Sequence, residues 1–132
     1  MNLLNGGDYN MNLSEIIEDI AKKYELDSIG IFGSRARGDY REDSDLDIFI
    51  IGNLSLDEEL LLEAELEREL GINIDIVKIS RNSDRILLKN IINDASVIYS
   101  KNNSFENLYK FVERFFIENS DFIHIRKVDL LD

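Results

Sequence analysis

The chain has 132 residues, no cysteine and no proline, with 44% hydrophobic and 32% charged residues and a formal net charge of −12 from 27 acids and 15 bases. That length fits one domain with a real core, the mix excludes a wholly disordered chain, and the missing cysteines exclude disulfides and thiolate metal sites. The acid excess argues against non-specific binding of DNA or RNA, which needs Lys and Arg to neutralise phosphates, and favours a small substrate or a basic protein partner; the same acids also keep a protein soluble.

Residues 1–11 read as a flexible tail, with translation starting at Met1 or Met11, and they lack the basic-then-apolar pattern of a signal peptide. No apolar run approaches the roughly 20 residues of a membrane span, so the expected address is cytoplasmic. Leu13, Ile16, Ile17, Ile20 and Tyr24 recur at helical spacing, with Asn12 and Ser14 as caps, and predict a first helix ending near Glu25. A strand follows over Asp27 to Phe32, stopping at Gly33-Ser34, and a second over about Asp45 to Ile51. Leu56 to Leu70 reads as a surface helix stopped by Gly71, with leucines at positions 56, 60, 62, 66 and 70 among acids. Ile72 to Ile79 alternates through Asp75 as a third strand. Ser83 caps a helix through about Asn93, Val97 to Ser100 is a short strand, and Ser104 opens a last helix through about Glu118. In that helix Phe105, Leu108, Val112, Phe115 and Phe116 form a stripe that suits core packing better than a partner surface. The expected domain spans 12–120, and 121–132, with the single histidine His124, is a C-terminal tail of ambiguous structure. Alternating strands and helices indicate an α/β (α+β) fold, a small mixed sheet flanked by helices.

The chemistry is concentrated at Gly33-Ser34-Arg35-Ala36-Arg37-Gly38 and Ser44-Asp45-Leu46-Asp47. Alternate strand residues share a face, so Asp45 and Asp47 point the same way with Cα atoms roughly 6.5–7 Å apart. Such a pair suits Mg²⁺, which prefers oxygen ligands and completes its shell with substrate phosphates; two ions can serve both oxygens of an in-line displacement. Asp75, among apolar neighbours, either supplies a third carboxylate or faces solvent on a half-exposed sheet. Gly33 and Ser34 suit a phosphate cradle, with Arg35 and Arg37 as phosphate partners and the amides of a short helix facing the same anion. Cradle and acids fall at one end of the sheet if the first two strands run antiparallel. Asp43, Asp45 and Asp47 also mimic the start of a calcium loop, but that loop needs Gly and Glu where this chain has Ile48 and Leu54. A Walker phosphate loop would need Gly-Lys-Ser or Gly-Lys-Thr, which is absent.

At these residues the chain resembles the DNA polymerase beta-like nucleotidyltransferase superfamily, and most of all its minimal nucleotidyltransferase (MNT) branch. The resemblance spans Ser14 to Tyr99 in order of elements, with Gly33 to Asp47 plus Asp75 as its specific core. It implies that Gly33 and Ser34 hold a triphosphate, that Asp45 and Asp47 bind metal, and that Asp75 adds a carboxylate and helps activate the acceptor hydroxyl. It implies also that Mg²⁺ is the cofactor and ATP the substrate. Many MNT proteins are antitoxins paired with a HEPN ribonuclease toxin, and some transfer AMP onto a toxin tyrosine. Two alternatives stand beside that implied function: an antitoxin that neutralises its partner by occlusion alone, and a small-molecule enzyme of the aminoglycoside-modifying type, whose substrate pocket a homo-oligomer would have to complete.

Overall fold

Leu46, Ile48 and Ile50 alternate along one strand with Asp47, Phe49 and Ile51, so that strand buries isoleucines on one face and a phenylalanine on the other. A computed structural model describes residues 6–119, and the expectations for 121–132 and His124 lie outside the described residues. Its elements in order are α1 (Gly6–Lys23), β1 (Ser28–Phe32), α2 (Gly33–Arg37), β2 (Leu46–Ile51), α3 (Leu56–Leu70), β3 (Ile74–Lys78), α4 (Arg85–Asp94), β4 (Ser96–Ser100) and α5 (Ser104–Glu118).

The four strands form one sheet in the order β3-β2-β1-β4, with β1 antiparallel to β2 and β4, and β2 parallel to β3. On one face, Ile29, Leu46, Ile48, Ile50 and Ile74 pack with Ile17, Ile20 and Ala21 of α1 and Leu62, Leu66 and Leu70 of α3. On the other, Phe49 meets Leu88 and Ile91 of α4 and Leu108 and Val112 of α5. The chain is therefore three layers, the mixed α/β arrangement expected from the alternating elements. Gly30 makes room for the second face: a Cβ there would lie 2.5 Å from the Phe49 ring and 2.6 Å from the Ser96 carbonyl oxygen, at the irregularity between β1 and β4. Among the described residues no helix is long and apolar enough to cross a membrane.

Two termini differ from expectation. α1 begins at Gly6, inside the stretch read as a tail, so Asn12 and Ser14 lie within the helix and do not cap it. The Gly- and Asn-rich start has low helical propensity, which hid the extension from pattern reading. At α4 the cap is Asp84, whose Oδ1 accepts from the Leu87 amide at 2.9 Å, and not Ser83. Ser83 Oγ instead accepts from the Ser80 amide at 3.0 Å and closes the turn before the helix. α3 has a full capping box at Ser55 and Glu58 and a left-handed C-cap at Gly71, and spans the residues expected for it.

Candidate active site

Pairing register brings the sequence motifs together. In the antiparallel β1–β2 pair Phe32 stands opposite Asp47, so Gly33 and Ser34, the next residues of the chain, emerge beside that carboxylate. In the parallel β2–β3 pair Asp47 stands opposite Asp75. Asp45, two residues before Asp47, lies at the mouth of the same strand, and all three acids share the sheet face covered by α4 and α5. The expectation that the cradle and the acids meet at one end is met by this register.

Gly33 holds two constraints at once. Its φ of +76° is a left-handed value that disfavours side chains, and a Cβ there would run into the Asp47 carboxylate, with Asp47 Cγ at 3.3 Å. The turn thus presses the backbone of α2 against the acid. Phe32 precedes α2 without a side-chain cap, which leaves the leading amides of that helix free for an anion. Among the described residues the Ser34 hydroxyl has no hydrogen-bond partner of its own.

Asp47 is half-buried, and its carboxyl is raised above the ordinary aspartate range, first by burial and then by the negative charges of Asp75 and Asp45. Arg37 opposes the shift from nearby. Mutual repulsion of this kind is relieved by a cation. The donor set, carboxylate oxygens only, suits a hard divalent ion such as Mg²⁺. Among the described residues no three acidic, His or Cys side chains enclose a metal by themselves.

The two arginines divide. Arg35, read from the sequence as a phosphate partner, donates from Nε and Nη2 to the Ser44 carbonyl at 3.0 and 2.8 Å and from Nη2 to the Glu42 carbonyl at 3.2 Å, and stacks on Tyr40 at 4.5 Å. Both carbonyls lie within three residues before Asp45, so Arg35 fixes the loop that delivers the acid; sequence adjacency to the cradle did not disclose the nine-residue reach. Arg37 pairs with Asp94 at the end of α4 at 2.7 Å and with Asp39 at 3.3 Å, tying α2 to the helix layer while its charge stays in the field of Asp47.

Two acids of α3 were not anticipated. Glu63 is raised by burial and by the charges of Glu67 and Asp75, which puts it in the electrostatic neighbourhood of the cleft. Glu67 Oε2 accepts from the Ile74 amide at 3.1 Å, occupying the outer edge of β3 one residue before Asp75. Glu67 also lines a polar cavity of about 410 Å³ with Arg35, Glu42, Asp43 and Asp45. On the sequence these acids looked like the solvent face of a helix; only the βαβ crossover brings them to β3.

Residues 15–104 match the family described as polymerase beta, nucleotidyltransferase. A protein of Methanocaldococcus jannaschii provisionally named a protein adenylyltransferase is 30% identical over 94 residues, covering 66% of this chain and 94% of the relative. Among solved structures, a toxin-antitoxin with AMP-PNP superposes with TM-score 0.67 and 18% identity over 90% of this chain and 98% of the other. A tri-AMPylated Shewanella oneidensis HEPN toxin in complex with MNT antitoxin gives TM-score 0.61 and 18% identity over 93% of this chain and 98% of the matched one. At that identity the two structures establish the shared fold.

Proposed function

Because this chain belongs to the polymerase beta nucleotidyltransferase family, we propose that it is a protein adenylyltransferase that moves AMP from ATP to a hydroxyl of a protein partner. The partner we assign is a HEPN-type ribonuclease toxin, with a tyrosine as acceptor, and the transfer neutralises it. The observation that carries the reading is the register that aligns Asp47 with Asp75 and places Gly33 against Asp47. Half-buried Asp47, raised by burial and by the charges of Asp75 and Asp45 beside uncapped amides, costs the fold stability locally, which binding by occlusion alone gives no reason to retain. The adenylyltransferase name of a relative and the AMPylated toxin bound to a structural neighbour support the choice of reaction and partner.

In this reading the amides at the start of α2 and the Ser34 hydroxyl bind the triphosphate and orient its α-phosphorus. Asp45 and Asp47 hold Mg²⁺, which when bound supplies charge neutralisation at the phosphates. Asp75 accepts the proton of the acceptor hydroxyl as the oxygen bonds to the α-phosphorus, and the bond to the bridging oxygen breaks to release pyrophosphate. Arg35 acts through the loop, holding Asp45 in place. Arg37 tempers the negative field around Asp47.

The test combines the purified protein, a HEPN toxin encoded beside it, labelled ATP and Mg²⁺. A mass gain of one AMP on the toxin, together with loss of its ribonuclease activity, is the expected result, and Asp45→Asn yields neither. Equal neutralisation by Asp45→Asn without added mass would assign the effect to occlusion.

A further inference from the structure

α3 carries two apolar faces where the fold uses one. Leu62, Leu66 and Leu70, spaced by four, are buried and make its whole contribution to the core. Leu56, Leu60 and Leu61 point away and are 71%, 55% and 62% exposed. Exposed Ala64 continues their row, since residues 60, 61 and 64 share one helical face and Leu56 lies one turn earlier. Single exposed leucines are ordinary, but three within six residues on a rigid, doubly capped helix form a contiguous apolar patch of the type that marks an interaction surface.

We propose that this outward leucine row is the docking face for a basic amphipathic segment of a protein partner. The occupant follows from charge. α3 holds seven carboxylates, at positions 57, 58, 59, 63, 65, 67 and 69, against the single guanidinium of Arg68. A second copy of this chain would set the same excess of acids against itself, and an anionic lipid surface would be repelled by it. A helix with Leu-type residues at i, i+3 or i+4 and i+7 and Lys or Arg alongside satisfies both the apolar row and the acids. Lys23 and Lys78 already answer Glu65 and Glu59 on the inner flanks, whereas among the described residues Asp57, in the middle of the outer row, has no cationic partner.

Position gives the face its use. α3 covers the sheet face opposite the one that carries Asp47, and the leucine row lies on its outer side; Leu56 starts the row beyond the far end of β2, ~13 Å along that strand from Asp47 at 3.3 Å per residue, and Leu60, Leu61 and Ala64 follow the helix back beside Glu63. A partner seated on the leucine row leaves the cleft open, and a different part of that partner can present its hydroxyl there. The docking rests on the partner-protein reading above but not on the chemistry, so binding and transfer are separable.

The probe is a fluorescein-labelled 15-residue peptide of Leu and Lys in amphipathic helical spacing, compared by anisotropy with a Ser and Lys peptide of equal charge. The wild-type protein should bind the Leu/Lys peptide at least tenfold more tightly, with amide exchange slowed over residues 56–64. The double variant Leu60→Ser, Leu61→Ser should lose that margin while melting at the wild-type temperature and binding ATP normally. Equal affinities for the two peptides, or undiminished binding by the double variant, would overturn the proposal. So would a homodimer in sedimentation that the double variant abolishes, since that assigns the face to a second copy. Asp45→Asn should bind the peptide as the wild type does; normal docking with a transferase-dead wild type would count against the catalytic reading alone.

Discussion

The two ends of the sheet are built on opposite terms. At the end where β1 begins, Ser28 is fully buried, and its hydroxyl meets those of Ser104 and, at 3.2 Å, Ser100. Ser104 Oγ donates to the Asp27 carbonyl at 2.8 Å and Ser100 Oγ to Glu106 at 3.0 Å, so every buried polar group there is answered by another. At the end where β1 stops, Asp47 feels the negative charges of Asp75 and Asp45 with Arg37 opposing them, and among the described residues the Ser34 hydroxyl has no hydrogen-bond partner. One end satisfies its polar groups within the chain and holds β4 and α5 to the sheet. The other leaves its acids repelling one another, which is the arrangement the proposed substrate site uses.

Breaking the strained end should separate stability from activity. On the function proposed above, Asp47→Asn is expected to cut transfer by about 10²-fold or more, because it removes a carboxylate proposed to hold the metal. Its melting temperature should rise, because it removes repulsion and the cost of a half-buried charge. A variant that loses both activity and stability would mean that Asp47 is a structural acid. Calorimetry and a labelled-ATP assay on the same sample decide it.

Gly33→Ala attacks the junction of cradle and acid. The left-handed φ costs roughly 1–3 kcal/mol for a side-chain-bearing residue, and the new methyl must displace the Asp47 carboxylate. Reduced stability together with weakened ATP binding is expected, read by denaturant unfolding and by titration calorimetry. Normal ATP affinity in a folded Gly33→Ala would detach the turn from the site.

Ser28→Ala probes the satisfied end. Loss of one member of a buried hydroxyl cluster should cost about 1 kcal/mol of unfolding free energy and leave ATP affinity unchanged. If it altered nucleotide binding, the two ends would be coupled through β1 rather than independent.

The smallest effect is on pH. Asp47 has a folded pKa raised above its unfolded value, so its favourable contribution is complete below the unfolded pKa of about 3.8 and is lost as pH rises through the raised folded value. Stability of the apo protein measured upward from pH 4 should therefore fall more in the wild type than in Asp47→Asn, and Mg²⁺ with ATP should restore it. Parallel pH profiles for the two proteins would place the repulsion elsewhere.

Much of this was legible in the chain itself. The leucines of α3 and the serine and glycine bounding it specify that helix end to end, because helix caps and a 3.6-residue period are local. Asp-x-Asp at a strand mouth declared a shared face for the same reason. Two adjacent cap-capable residues, Ser83 and Asp84, could not be ranked, since which one caps depends on the turn before it. The start of α1 escaped because Gly6, Gly7 and the asparagines have weak propensity and gave no periodic signal.

What the sequence by itself determined is which residues are acids, where strands alternate and where helices stop, all of it set by interactions within a few residues. Which acids meet was decided by tertiary structure. Asp75 joins Asp47 through the parallel register of two strands separated by a whole helix, and Glu63 joins the same field because the crossover lays α3 along β3. Arg35 clasps the Asp45 loop for the same reason: a long side chain goes to the carbonyls that folding brings within its reach, and sequence spacing does not specify them.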